Sequence, residues 1–132
     1  MKKSLIEIYA LAVCFITVAC FVVTFGLALW DVVEFTVPEF TINQSQYERH
    51  QSDDEYSEYI SRRSQYKGEN AEPIPSGEEL TKAREKSYAF IIASERRTAL
   101  QDFFQKLIII LVDTIAFFIH WRIAGKARRE NN

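Results

Sequence analysis

The chain has only two cysteines, three prolines, four glycines, two histidines and one methionine among 132 residues. Each shortage excludes a class of function. Cys14 and Cys20 sit six positions apart in one apolar run, so a helix holds them too far apart to bond to each other. No thiol lies elsewhere, which removes a disulfide framework, a thiolate metal site and a cysteine nucleophile from the rest of the chain. The two histidines, His50 and His120, have no His/Cys partner at metal-binding spacing. The few glycines make no phosphate-cradling loop, and no serine sits in a nucleophile elbow. The acidic run Asp53-Asp54-Glu55 lacks the spacing of a calcium loop. The expectation is therefore no enzyme, no metal and no cofactor. Nor does the charge suit nucleic acid: in the polar middle of the chain, residues 31–102, acidic side chains outnumber basic ones.

What the chain does have is two uncharged, apolar stretches with polar sequence between them. Residues 8–30 supply about 23 residues, roughly 34 Å of helix, enough for a bilayer core. Lys2 and Lys3 precede this stretch, and Trp30 ends it at a position suited to the membrane interface. A cleaved signal peptide is the alternative, but the run is longer than the usual apolar region, and Gly26-Leu27-Ala28 is a mediocre cleavage site. The second stretch, 103–124, has a clean core at 107–121 of only about 15 residues, roughly 22 Å. Phe103, Phe104, Ile123 and Ala124 extend it to spanning length, with Lys106 and Arg122 able to snorkel. Trp121 and Arg122 read as interface anchors, like Trp30.

The fold expected is an all-α, two-pass membrane hairpin with a helical extracytoplasmic insert. Its parts are a short cytoplasmic N-terminus (1–7), a first span (8–30), a loop (31–102), a second span (103–124) and a basic cytoplasmic tail (125–132). Basic residues flank both outer ends of the spans, so both termini stay inside. The loop exceeds the roughly 60 residues beyond which charge stops controlling translocation. The Met-Lys-Lys start suggests a bacterial inner membrane and a periplasmic loop.

Within the loop, 31–42 reads as an irregular, apolar exit that Pro38 keeps from continuing as a helix. Asn43-Gln44-Ser45 fits a glycosylation pattern, relevant only in a eukaryotic secretory route. A helix is expected at 53–67, capped by Ser52 with Glu55 three residues on, and stopped by Gly68. Tyr56, Tyr59, Ile60 and Tyr66 give it a modest apolar side. Residues 68–75 read as a linker. Ser76 with Glu79 forms a second capping box, opening a helix at 77–102 that would project roughly 39 Å above the bilayer. It either runs on into the second span or breaks near 94–98. Leu80, Ala83, Ser87, Tyr88, Ile91, Ile92, Ala99, Leu100 and Phe103 share one side that needs cover.

Asp113 is the residue to single out. A carboxylate inside an apolar span is costly, about 2.5–3.5 kcal/mol on insertion scales, and turns toward protein or water. Lys106, Asp113 and His120 are spaced by seven and so share one stripe, drifting only about 20° per step. Ala10, Cys14, Thr17, Cys20, Thr24, Ala28 and Asp31 form a facing stripe of small and polar residues on the first span. Asp113 is expected to hydrogen-bond Thr17 or Thr24 and fix the hairpin, or to serve with Lys106 and His120 as a relay. The function expected is a small accessory subunit that associates with a larger membrane protein or with its own copies. An oligomeric ion- or proton-conducting pore is the alternative, and an extracytoplasmic sensor a third. No small-molecule substrate is evident.

Overall fold

The computed structural model describes residues 5–67 and 74–130, with the side chain of Lys67 left aside. Among the described residues 91% are helical and there is no strand. The helices are α1 (Leu5–Thr36), α2 (Pro38–Thr41), α3 (Gln44–Glu48), α4 (Asp53–Lys67) and α5 (Glu78–Glu130). The chain divides into two compact units, one made of Met1–Val32 with Ala99–Asn132 and the other of Val33–Thr98.

In the first unit, α1 and the C-terminal part of α5 pack antiparallel. The buried positions of α1 are Glu7, Ala10, Cys14, Thr17, Ala28 and Asp31, spaced by threes and fours as one helical face requires. Ala99, Ala124 and Ala127 are buried on α5. Small side chains on both helices let the backbones approach closely. Cys20, expected on this face, is exposed instead, because the face follows the 14, 17, 28, 31 line and leaves Cys20 to one side.

Two ion pairs close the ends of the packed pair. Glu7 accepts from Arg128 at 3.2 Å, and Asp31 takes Lys106 Nζ on both carboxylate oxygens at 2.6 and 2.7 Å. Lys106 therefore does not snorkel. Its side chain is four-fifths buried and that of Asp31 nearly wholly so. Glu7 to Arg128 and Asp31 to Lys106 bracket roughly 36 Å of α1 and 33 Å of α5, at 1.5 Å per residue. That slightly exceeds a hydrocarbon core of about 30 Å. Between the pairs, Phe15, Val22, Val23 and Leu29 on α1 and Ile108, Leu111, Val112 and Ile115 on α5 point outward and are exposed. Both helices are long and apolar enough to cross a membrane, and only 11% and 6% of their most apolar windows are buried. A core helix of a water-soluble protein would be mostly covered.

The second unit is held by side chains around the start of α4. The exit from α1 is not irregular: α1 runs on to Thr36, and Pro38 opens the short helix α2 at its first turn, where its missing N–H is harmless. Asn43 caps α3, its Oδ1 accepting from the Ser45 backbone N–H at 2.9 Å and from Ser45 Oγ at 2.8 Å. The helix so capped, Gln44–Glu48, falls where the sequence shows only a glycosylation pattern. Ser52 accepts from Glu55 N–H at 3.3 Å, as a cap to α4. Of the residues on the apolar side of α4, Tyr56 is buried and donates to Ala83 O at 3.4 Å, whereas Tyr66 is exposed. The Gly68 stop lies outside the described residues. At the start of α5 the first helical carbonyl is that of Gly77, which has φ +60°, so Gly77 and not Ser76 stands at the cap. From Glu78 the helix is unbroken to Glu130, with no break at 94–98.

The Asp31–Lys106 pair gives the first test. Replacing one partner leaves a buried charge alone, so Asp31→Asn or Lys106→Met should each destabilise the helix pair by about 3–5 kcal/mol. The double replacement Asp31→Leu with Lys106→Leu should recover most of that loss. Unfolding titrations in mixed micelles measure all three, and two single variants within about 0.5 kcal/mol of wild type would show the pair to be unimportant.

Candidate functional site: a carboxylate between two apolar helices

The stripe Lys106–Asp113–His120 faces α1 along its length. Lys106 meets Asp31, Asp113 shares a cavity with Thr17, and the His120 ring stands edge-on to Tyr9 at 5.9 Å between centroids. The heptad spacing thus brings the three to one side of α5. It does not bring them together, since neighbours in the stripe are about 10 Å apart along the axis.

Each member is held differently. Lys106 is committed to Asp31. His120 Nδ1 lies 2.8 Å from Ala116 O, a carbonyl that only accepts, so Nδ1 carries the hydrogen of that bond. Asp113 Oδ2 is buried and has no hydrogen-bond partner among the described residues. The expected bond from Thr17 or Thr24 to that oxygen is not formed. Thr17 Oγ1 donates instead to Cys14 O at 2.9 Å, and Thr114 Oγ1 donates to Ile110 O at 2.7 Å. Both hydroxyls have turned to carbonyls of their own helices, the usual recourse of Thr inside a helix. Thr24 is half-buried on α1 and does not line the cavity.

The cavity beside Asp113 measures about 230 Å³ and is lined by Thr17, Val18, Phe21, Asp113, Thr114, Phe117 and Phe118. Phe117 O accepts from Cys14 Sγ at 3.8 Å, and the Phe117 ring stacks on Trp121 at 5.8 Å. Trp30, Trp121 and Arg122 are exposed. The residues that sequence reasoning misses are Glu7 and Tyr9. Glu7 lies one position before the apolar run as first drawn, yet it begins the 7, 10, 14, 17 spacing that marks the buried face.

The second unit holds a separate polar cluster. Asp53 accepts from Thr81 Oγ1 at 2.6 Å and from Arg84 Nε at 2.7 Å, while Arg84 Nη1 donates to His50 O at 2.7 Å. His50 is buried between Tyr56 and Tyr88, with Nδ1 at 2.6 Å from Gln46 O and Nε2 at 3.0 Å from Ser87 Oγ. The bonds from Thr81 and Arg84 hold the Asp53 carboxyl below its ordinary range. Partial burial pushes the Tyr88 hydroxyl up, with Glu39 and Tyr47 adding to it. Asp53, Thr81, Arg84 and His50 are each bonded within the cluster, so it reads as a fastening. A groove of about 320 Å³ near Arg49 and Glu58 is similarly self-neutralised, with Glu58 paired to Arg62 and Arg49 lying 4.8 Å from the Tyr59 ring centre. Among the described residues no group of three His, Cys, Asp or Glu is placed to hold a metal ion.

No family model matches the chain, and neither a curated protein nor a solved structure shows significant similarity to it.

Asp53 fixes the direction of a pH effect. Its carboxyl titrates lower folded than unfolded, so its contribution to stability is whole above the ordinary carboxylate range and is lost as pH falls through the folded value. Amide hydrogen exchange across α4, followed downward from pH 6, should show protection falling below the ordinary carboxylate range. Asp53→Asn should lower protection at neutral pH and flatten that dependence. An unchanged profile in the variant would remove Asp53 as its source.

Proposed function

We propose that this chain is a small integral membrane subunit that crosses the bilayer twice and associates with a larger membrane protein or with its own copies. In this reading α1 and the C-terminal part of α5 are the two spans, both termini are cytoplasmic, and the insert at 31–102 is extracytoplasmic, in a bacterial inner membrane. The observation that carries it is the pair of ion pairs, Glu7–Arg128 and Asp31–Lys106, which end the apolar segment at a distance matching a bilayer. The exposed Phe, Leu, Ile and Val side chains between them suit lipid or a partner helix and are poorly suited to water. Basic residues at the outer ends of both spans support the orientation. In the second unit Phe90 is exposed on α5, an apolar contact point open to a partner.

A pore-forming oligomer is the second reading, favoured by one observation: the unpartnered Asp113 Oδ2 inside the apolar segment. Two spans enclose no conduit, so several copies are needed. Proton flux into liposomes that stops in Asp113→Asn would favour it.

Two experiments test the main reading. In a Cys14→Ser, Cys20→Ser background, Ser57→Cys should react with a membrane-impermeant maleimide in intact cells, and Arg129→Cys only after lysis. The opposite pattern would reverse the orientation. Native mass spectrometry of the full chain released from nanodiscs should show a stoichiometric heteromer or a defined homo-oligomer, and a monomer alone would overturn the subunit role.

A further inference from the structure

The outward face of the C-terminal part of α5 changes character along its length. Ile108, Leu111, Ile115 and Phe118 are exposed. One turn further on, the cations begin: Arg122, Lys126 and Arg129 are exposed as well. At about 100° per residue these three fall within about 60° of one another, in line with Ile108, Leu111 and Ile115. Ala124 and Ala127 are buried, and they lie on the opposite side of the helix. The face is therefore one continuous surface, apolar for about 15 Å and then basic for about 10 Å.

The basic part has little answering charge in the chain. Residues 1–10 and 120–132 hold six Lys and Arg against two acidic side chains, Glu7 and Glu130. Glu7 is committed to Arg128. Glu130 lies 3.9 Å from Lys126 with both side chains in the open, a pair of little worth. Arg122 and Arg129 form no ion pair among the described residues. The negative end of the helix dipole accounts for cations in the last turn, where Arg128 and Arg129 stand, but Arg122 comes about two turns earlier.

What fits this face is a molecule with an apolar body and an anionic head in the same order, and a phospholipid has both. Its acyl chains would lie along Ile108 to Phe118 and its phosphate would meet the cations. Arg122 stands about 24 Å along α5 from the buried Lys106, short of a hydrocarbon core of about 30 Å. Its long apolar stem carries the guanidinium on toward headgroup level, where the planar fork can take two phosphate oxygens. Lys126 and Arg129 follow at greater height along the same line. A zwitterionic lipid brings its own cation to the phosphate, so a lipid of net negative charge gains more from the stripe.

We propose that Arg122, Lys126 and Arg129 form a docking surface for an acidic phospholipid, which it selects over a zwitterionic one. The surface rests on the reading of α1 and α5 as bilayer spans, and it needs no partner subunit.

The test places the full chain, in a Trp30→Phe background, in nanodiscs, which leaves Trp121 beside Arg122 as the sole tryptophan. Quenching of its emission is read in two equal mixtures of phosphatidylglycerol and phosphatidylcholine, one with the first lipid brominated in its acyl chains and one with the second. The ratio of the two gives the lipid preference around Trp121. The unsubstituted stripe should favour phosphatidylglycerol about fivefold or more, the worth of one basic side chain near an acidic surface. Salt at about 1 M, which shortens screening to about 3 Å, should bring the preference close to parity. The triple replacement Arg122→Gln, Lys126→Gln and Arg129→Gln should do the same at low salt. Arg96→Gln with Arg97→Gln, in the other unit, should keep the preference. Equal quenching by both lipids with the stripe intact overturns the proposal and leaves the spans standing; it is also the result if acidic residues of a protein partner are the true counter-charge. A preference that survives salt or the triple replacement overturns it too. Quenching by neither lipid overturns the two-span reading and this surface with it. Circular dichroism checks each variant, and if the triple variant misfolds, the ratio with the stripe intact and its salt dependence decide.

Discussion

Every charge adjoining the apolar helix pair must be neutralised or kept in water, and this constraint arranges the first unit. Asp31 and Lys106 cannot both be buried unless they meet. Their meeting fixes which residue of α1 stands opposite which residue of α5. Glu7 and Arg128 repeat the device at the other end. Apolar packing alone would not set that register, because one aliphatic side chain replaces another at little expense. Two ionic contacts separated by the length of the apolar segment allow one alignment and penalise a slip of even one turn. The small residues between them then interlock.

Much of this was legible in the chain. The apolar runs, the helix at 53–67 and the heptad spacing of Lys106, Asp113 and His120 follow from periodicity and capping, which are local. The facing stripe on α1 was mostly right, with Cys20 as the exception. The pairings were not legible. Asp31 and Lys106 lie 75 positions apart, and nothing local says that two flanking charges will find each other rather than solvent. Likewise, a hydroxyl facing an acid in a helix can bond the acid or its own preceding turn. Thr17 took the second course, and sequence alone does not decide between the two.

The second unit fails and succeeds for similar reasons. Ser52 caps α4 as its side chain and spacing imply. Asn43, read only as part of a glycosylation pattern, has the same chemistry and performs the same office for α3, which was missed because a five-residue helix leaves almost no periodic trace. Arg84 was unremarked among many exposed cations. Its importance comes from bridging Asp53 and the His50 carbonyl, both supplied by residues more than 30 positions away.

The two sides of the helix pair carry different obligations toward change. On the outward side, Phe15, Val22, Ile108 and Leu111 touch little of the protein, and selection there can ask only that they stay apolar. On the seam, Ala10, Cys14, Ala28, Ala124 and Ala127 must stay small, since one added branch would push the backbones apart and stretch both end contacts. Among descendants of this chain the outward residues should therefore drift freely among the larger aliphatics, while the seam barely moves. Kinship would then be readable in a sparse pattern of small residues and paired charges long after the rest of the two helices had lost all resemblance.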